Sequence, residues 1–249
     1  MTQIDTIAKL LLGAKHVAFL TGAGVSAESG IPTFRDALEG YWSKYDPEQL
    51  ATPQAFAADP ELVSRWYDER RQKVLACQPN AGHVALAELE RLLTERGATF
   101  AILTQNVDGL HRRAGSKEVI EVHGSLLRWR STTSQIEYDD LPVPFESYPV
   151  PAPDGGLLRP GVVWFGEALP DDALARVDEE LARCDVFVSV GTSGLVYPAA
   201  GWSLLAKRAG AKTVEINRDP TPMSQSFDHC VLGQSGTVLP AIVEAIRRG

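Results

Sequence analysis

The sequence of 249 residues predicts an α/β protein with a Rossmann-like, doubly wound parallel sheet that two insertions interrupt. Short apolar runs typical of buried strands alternate along the chain with helical patterns. A glycine-rich turn follows the first run, and polar residues follow the later ones. Because ligands of such sheets bind at the carboxyl ends of the strands, these residues are expected to form a site there.

The predicted elements follow one another in a regular order. Residues 1–12 form an amphipathic first helix and lack the basic region and cleavage pattern of a secretory signal. Strands are predicted at 16–20, 99–103, 119–122, 185–190, 212–216 and 229–232. Helices are predicted at 81–96, 171–182 and 199–209, and within the first insertion around 61–75. The insertions are residues 36–79 and the proline-rich residues 125–160, which leaves 1–35, 80–124 and 161–249 for the large domain.

Composition and charge exclude several classes of protein. The hydrophobic content of 44% and charged content of 22% are ordinary for a soluble globular protein. A net charge of −8 argues against a general binder of nucleic acid or of anionic membranes. No apolar run reaches the roughly 18 residues of a membrane-spanning helix. We therefore expect a cytoplasmic protein with no nucleic-acid or membrane partner.

The glycine-rich turn lies in the segment 22–35, which reads GAGVSAESGIPTFR. Its first six residues fit the dinucleotide-binding pattern G-x-G-x-x-A, through Gly22, Ala23, Gly24 and Ala27. The turn and the helix N-terminus after it suit a phosphate group, and Arg35 suits a pyrophosphate through paired charge-assisted bonds. Taken alone, the six residues leave open an ordinary tight turn.

Two further motifs extend this pattern: TQNVDGLH at 104–111 and EVHG at 121–124. Together with the segment 22–35, and in this order, they resemble the sirtuin family of NAD-dependent protein deacylases. The resemblance runs from about residue 15 to the end of the chain. It implies a Rossmann-like large domain that binds NAD, a smaller domain formed by the two insertions, and an active-site cleft between the two domains.

The resemblance also assigns roles to the residues at the strand ends. His123 is the expected general base, since a histidine accepts a proton near neutral pH. Asn106 and Asp108 are expected to serve the chemistry, and His111 to hold loops together. The expected NAD-binding residues are Gly22, Ala23, Gly24, Ala27, Thr33, Phe34, Arg35, Gln105, Asn106, Asp108, Gly191, Thr192, Ser193, Asn217 and Ser235.

Substrate recognition is expected on the first insertion. Tyr67 and Arg70 are three residues apart, so on a helix they share a face where a phenol and a guanidinium suit a carboxylate. A Tyr-x-x-Arg here resembles the sirtuins that prefer negatively charged acyl-lysines, such as succinyl-lysine and malonyl-lysine. A solvated amphipathic helix would show the same spacing. The segment 162–167 resembles the family strand that pairs with the peptide substrate, with Val163 and Phe165 as substrate-binding residues.

The second insertion departs from the family pattern. Most sirtuins carry two C-x-x-C pairs there, which bind a structural zinc, whereas the segments 131–134 and 151–154 of this chain read STTS and PAPD. Serine and proline cannot replace thiolates as zinc ligands, so no metal is expected. Prolines and a small apolar cluster are expected to stabilise the insertion instead. The cluster comprises Trp129, Ile136, Val143, Phe145 and Tyr148.

The function that the resemblance implies is NAD-dependent protein-lysine deacylation. The acyl group passes from lysine to ADP-ribose, giving nicotinamide and O-acyl-ADP-ribose, with desuccinylation and demalonylation favoured and deacetylation open. Acyl-lysine proteins are the expected partners, and the oligomeric state is left open. Two alternatives remain: mono-ADP-ribosyl transfer or NAD hydrolysis by the same fold, and a non-catalytic NAD-sensing module.

Overall fold

A parallel sheet forms the centre of the structure, a computed structural model that describes residues 2–32 and 46–248. In chain order the strands are β1 (His16–Thr21), β2 (Thr99–Thr104), β3 (Val119–Glu121), β4 (Gly124–Ser131), β5 (Glu137–Tyr138), β6 (Leu158–Val162), β7 (Val186–Val190), β8 (Lys212–Asn217) and β9 (His229–Leu232). The central sheet has the order β3-β2-β1-β7-β8-β9, with every neighbouring pair parallel. The predicted doubly wound α/β class is confirmed, and each predicted strand is present.

Helices cover both faces of this sheet. They are α1 (Gln3–Gly13), α2 (Ala23–Ala27), α3 (Pro47–Leu50), α4 (Pro53–Ala58), α5 (Pro60–Ala76), α6 (Ala81–Thr94), α7 (Leu110–Arg113), α8 (Asp171–Arg183), α9 (Trp202–Arg208) and α10 (Ser235–Arg248). Residues of α1, α6 and α10 pack with Val17 and Phe19, whereas those of α8 and α9 pack with Ala18 and Leu20. Because side chains alternate along a strand, these cores lie on opposite faces. Within the described ranges, no helix is long and apolar enough to cross a membrane.

A second, smaller sheet lies in the second insertion, and the sequence did not predict it. Its order is β5-β4-β6, with antiparallel pairs. It shares a core with α4 and α5 of the first insertion. The two insertions are therefore packed together, as the resemblance implies, while the domain boundaries themselves stay a prediction.

The predicted apolar cluster of the second insertion is partly wrong. Trp129 is fully buried, Phe145 is buried, and Tyr148 packs against the shared core, with its ring 6.3 Å from that of Phe145. Ile136 and Val143, however, are 57% and 42% exposed. Both lie in connections outside the strands, where no strand alternation directs a side chain toward the core.

Candidate active site

The carboxyl ends of β1, β2 and β7 meet at one edge of the sheet. Thr21, the last residue of β1, is level with Thr104 on one side and with Val190 on the other. The chains that leave these strands are joined at once: Gln105 N donates to Thr21 O at 2.9 Å, and Gly22 N donates to Val190 O at 3.1 Å. The structure thus brings together the motifs that begin at residues 22, 105 and 191.

The glycines of the first motif are needed for contact between two stretches of backbone. A Cβ added to Gly24 would lie 2.8 Å from the Cα of Gly191, and one on Gly22 would lie 2.9 Å from the carbonyl oxygen of Gly191. Gly191 itself has a φ of +61°, a conformation that favours glycine. Ala23 and Ala27 begin and end the short helix α2 that follows. The pattern therefore serves first to pack the β1 turn against the β7 turn.

Asn106 and Asp108 are buried and share one partner, the Ser26 hydroxyl of α2. Ser26 Oγ donates to Asp108 Oδ2 at 2.7 Å and accepts from Asn106 Nδ2 at 3.0 Å. Asn106 Nδ2 also donates to Gly22 O at 3.1 Å, and Leu110 N donates to Asp108 Oδ1 at 2.8 Å. Burial raises the pKa of Asp108, although these hydrogen bonds oppose the shift.

Ser26 was not singled out by the sequence analysis, although it lies inside the quoted motif. A serine in the interior of a short helix is a poor helix former whose hydroxyl readily seeks a partner, which is the signal that was available. Through its hydrogen bonds, Ser26 connects the first motif, at residues 22–35, with the second, at residues 104–111.

A pair of buried histidines lies next to these two connected motifs. The rings of His83 and His111 are 4.9 Å apart, and His111 Nε2 lies 2.9 Å from Thr21 Oγ1. Desolvation lowers the pKa of His83 to about 4. Desolvation, with His83 beside it, lowers the pKa of His111 to about 3. Both rings are neutral at pH 7, and the predicted loop-holding place of His111 agrees with its contact to β1.

His123 follows β3 and is held by one hydrogen bond to the backbone. Its Nδ1 lies 3.0 Å from Gln105 O. A carbonyl oxygen only accepts, so Nδ1 carries the hydrogen and the lone pair of the neutral ring is on Nε2. Burial lowers the pKa of His123 below its ordinary value, so the neutral form that can accept a proton predominates at pH 7.

The residues predicted for the adenosine end bind mainly to one another. Asn217 Nδ2 donates to Thr192 O at 2.7 Å, and the Thr192 hydroxyl lies 3.0 Å from that of Ser189. Ser193 is exposed beside them. Ser235 Oγ donates to Glu28 Oε1 at 3.0 Å, so the carboxylate of the first motif seats the start of α10. Through these hydrogen bonds, the side chains hold the ends of β7 and β8 and the start of α10 in place.

The predicted substrate residues of α5 lie beside two tryptophans, Tyr67 at Trp164 and Arg70 at Trp66. Tyr67 Oη accepts a 3.0 Å hydrogen bond from Trp164 Nε1, and the Arg70 guanidinium lies 5.0 Å over the ring of Trp66. Burial raises the pKa of Tyr67, so its phenol keeps a proton that it can donate. Burial lowers the pKa of Arg70, while the nearby Tyr67 opposes the shift.

The segment 162–167 is not a strand beyond Val162, contrary to the prediction. Val163 N donates to His123 O at 2.9 Å, Phe165 N donates to Ala51 O at 2.9 Å, and Trp164 N donates to Glu167 Oε2 at 2.8 Å. The N–H groups of residues 163–165 are thus used within the chain, and pairing with a peptide at these residues is left to the carbonyl groups. Phe165 is 45% exposed, and its role in substrate binding stays a prediction.

The positions that resemble the zinc-binding pairs do not fit a metal. The Ser131 hydroxyl donates to Asp154 Oδ2 at 2.6 Å, and Ser134 N donates to the same oxygen at 3.2 Å. Neither serine nor proline supplies a thiolate or imidazole, and one carboxylate cannot complete a tetrahedral site. Across the described part of the chain, no three His, Cys, Asp or Glu side chains gather where a metal ion could be held.

Comparisons with known proteins agree on one family. A family model described as "Sir2 family" matches residues 22–198. NAD-dependent protein deacylase 1 of Archaeoglobus fulgidus is 48% identical over 249 residues, with 98% of each chain covered. The mitochondrial NAD-dependent protein deacylase sirtuin-5 of Canis lupus familiaris is 45% identical over 255 residues, covering 93% of this chain and 82% of the dog protein. A crystal structure of a Sir2 homolog–NAD complex is similar with a TM-score of 0.92 and 46% identity, covering 98% of this chain and 94% of the other.

Proposed function

This chain belongs to the Sir2 family and is an NAD-dependent protein deacylase, and we propose that it removes acyl groups that end in a carboxylate, such as succinyl and malonyl, from protein lysines. The single observation that carries the proposal is the place of Tyr67 and Arg70 on α5. Tyr67 offers a phenol proton while Trp164 holds its oxygen, and Arg70 offers a partly desolvated guanidinium. A carboxylate can accept charge-assisted hydrogen bonds from a phenol and a guanidinium at the same time.

In the proposed mechanism His123 is the general base. NAD supplies the ribose that accepts the acyl group, and the residues of this chain bind, orient and move a proton. The hydrogen bond from Nδ1 to Gln105 O fixes the ring tautomer, so Nε2 takes the proton from an attacking hydroxyl group. A base with a lowered pKa is ready at neutral pH.

Asn106, Asp108 and Gln105 are proposed to bind the nicotinamide and ribose end of NAD. Support comes from the burial of Asn106 and Asp108 at the edge where β1, β2 and β7 end, and from their hydrogen bonds to Ser26. The remaining NAD contacts stay as predicted, at Gly22, Ala23, Gly24, Ala27, Gly191, Thr192, Ser193, Asn217 and Ser235. Thr33, Phe34 and Arg35 lie outside the described residues.

We also propose that the second insertion is held without zinc and that the protein works in the cytoplasm. The hydrogen bonds of Asp154 to both ends of the segment 131–134 support the first proposal. The second is supported by the composition, which is ordinary for a soluble globular protein.

The test of the acyl preference compares one lysine peptide carrying acetyl, malonyl or succinyl, with and without NAD. We expect kcat/KM to favour the acidic acyl groups in the presence of NAD, and mass spectrometry to find O-acyl-ADP-ribose. Arg70→Met should remove the preference. Lys73→Met, which deletes an exposed cation from the same helix, is the matched control and should keep it.

Equal or acetyl-favoured turnover in the wild type would refute the acidic-acyl proposal while leaving the deacylase activity in place. Loss of NAD without loss of the peptide's acyl group would instead favour ADP-ribosyl transfer or NAD hydrolysis. His123→Ala should abolish deacylation with every peptide, and retained turnover in that variant would refute its role as the base.

A further inference from the structure

The helix that carries Tyr67 and Arg70 also carries a buried ion pair one position further along. Asp68 is 0% exposed and Arg71 is 1% exposed, and Arg71 Nε donates to Asp68 Oδ1 at 2.8 Å. Neither residue belongs to the site described above. A buried ion pair is costly to desolvate, so the pair by itself is weak evidence for added stability.

Both members of the pair reach across to the second insertion. Asp68 Oδ2 accepts from Phe145 N at 3.0 Å and from Tyr148 Oη at 2.6 Å. Arg71 Nη2 donates to Pro142 O at 2.6 Å, and its guanidinium lies 4.2 Å over the ring of Phe145. The segment 142–148 is therefore fastened to α5 through these two side chains.

These contacts determine how α5 is turned about its own axis. Successive residues of an α-helix are about 100° apart around the axis, so Tyr67 and Asp68, like Arg70 and Arg71, point to adjacent sides. Any rotation of α5 that moved Tyr67 away from Trp164, and Arg70 with it, would also pull Asp68 and Arg71 from residues 142–148. Directional hydrogen bonds resist such a rotation more strongly than apolar contacts, which tolerate sliding.

The pair also affects the charge around Arg70. Asp68 neutralises the charge of Arg71, the residue next to Arg70 on α5. Replacing Asp68 with a neutral residue would leave Arg71 buried without its anion and drawn to any carboxylate nearby. A substrate carboxylate would then have a competing partner on the wrong side of the helix.

We propose that Asp68 and Arg71 are positioning residues for acyl selectivity: by fastening α5 to the segment 142–148, they aim Tyr67 and Arg70 at the carboxylate of the acyl group. This inference rests on the proposed preference for acidic acyl groups. It makes the second insertion a determinant of which acyl group is accepted, although none of its residues needs to touch the substrate.

The experiment measures kcat and KM for succinyl-lysine and acetyl-lysine peptides in Asp68→Asn, Tyr148→Phe and the wild type. Asp68→Asn should raise KM for the succinyl peptide about tenfold, the effect of one misplaced charge-assisted hydrogen bond, and should leave kcat/KM for the acetyl peptide within about twofold. Tyr148→Phe removes one hydrogen bond of Asp68 and keeps the ring. It should therefore also raise KM for the succinyl peptide, but by less than Asp68→Asn. A thermal melt of each variant records whether it is folded.

Tyr138→Phe is the matched control, because this phenol lies in the same insertion as Tyr148, on β5, and none of the hydrogen bonds described above for Asp68 or Arg71 involves it. If Asp68→Asn does not fold, the positioning role is tested by comparing KM for the succinyl peptide between Tyr148→Phe and Tyr138→Phe. A preference for succinyl that depends on Arg70 but is unchanged in the folded variants, or equal losses with both peptides, would overturn the positioning role alone. A wild type with no such preference would overturn the proposed acyl class, and this inference with it.

Discussion

The Ser131 hydroxyl donates a 2.6 Å hydrogen bond to the carboxylate of Asp154, and this contact joins the two segments at which most sirtuins hold a structural zinc. The same carboxylate accepts from Ser134 N, and Gly156 N donates to its other oxygen at 3.2 Å. These hydrogen bonds lower the pKa of Asp154 to about 2, with the bond from Ser131 as the largest cause. We call Ser131, Ser134 and Asp154 the loop clamp.

From the loop clamp we predict that the stability of the folded protein does not depend on a bound metal ion. A chelator should leave the melting temperature of the wild type unchanged, whereas Asp154→Ala should lower it by a few degrees because both segments lose their common acceptor. Asp139→Ala, a change at another exposed carboxylate of the same insertion, is the control. Because the folded-state pKa of Asp154 is lowered, its contribution is present above about pH 4 and is lost as the pH falls toward 2. A melting temperature that falls on chelation would refute the proposal.

Ser26 is predicted to hold Asn106 and Asp108 in place. Ser26→Ala removes the partner that Asn106 and Asp108 share, so we expect kcat/KM for deacylation to fall roughly tenfold or more and the free energy of unfolding to fall by about 1–3 kcal/mol. Ser29→Ala is a matched control, since Ser29 also accepts a hydrogen bond, from Asn80 Nδ2 at 3.0 Å, but does not contact these two residues. Steady-state kinetics together with chemical denaturation make the comparison. Unchanged kinetics in Ser26→Ala would contradict the prediction.

The buried histidine pair predicts a loss of stability in mild acid. The pKa of His83 is about 4 and that of His111 about 3 in the folded protein, against 6.5 in the unfolded chain. Below pH 6.5 the unfolded state therefore binds more protons, and stability falls as the pH is lowered. Each histidine contributes up to about 1.4 kcal/mol per pH unit until its folded-state pKa is reached.

Denaturation curves between pH 7 and pH 4.5 measure this slope. His83→Gln should reduce it by about one proton relative to the wild type. A slope that is the same in His83→Gln and the wild type would show that the histidine is not neutral in the folded state.

Gly24→Ala is predicted to disturb the contact between the β1 and β7 turns. The added Cβ would lie 2.8 Å from the backbone of Gly191, which cannot rotate away as a side chain could, so α2 must shift. We expect a loss of about 1–3 kcal/mol in stability and a raised KM for NAD. Gly13→Ala is the control because nothing lies within 4 Å of its added Cβ. Normal NAD kinetics in a stable Gly24→Ala protein would refute the prediction.

The sequence by itself determined the central sheet and the edge at which the site lies. Apolar runs followed by GAGVSA, TQNVDG, EVHG and GTS place Gly22, Gln105, His123 and Gly191 at strand ends, because buried parallel strands are continuous in the sequence and their order along the chain can be read directly. The family motifs lie in the same segments, which is why His123 and Asn106 could be named before the structure.

Only the tertiary structure decided how these residues are held. The bond between Ser26 and Asp108 joins residues 82 positions apart, the bond between Tyr67 and Trp164 spans 97, and the one between Asp68 and Tyr148 spans 80. A local sequence pattern does not show which residues so far apart along the chain will meet in the folded protein. Hydrogen bonds between side chains depend on directions in space that are set when the insertions pack together, so the small sheet, the loop clamp and the fastening of α5 became visible only in the folded chain.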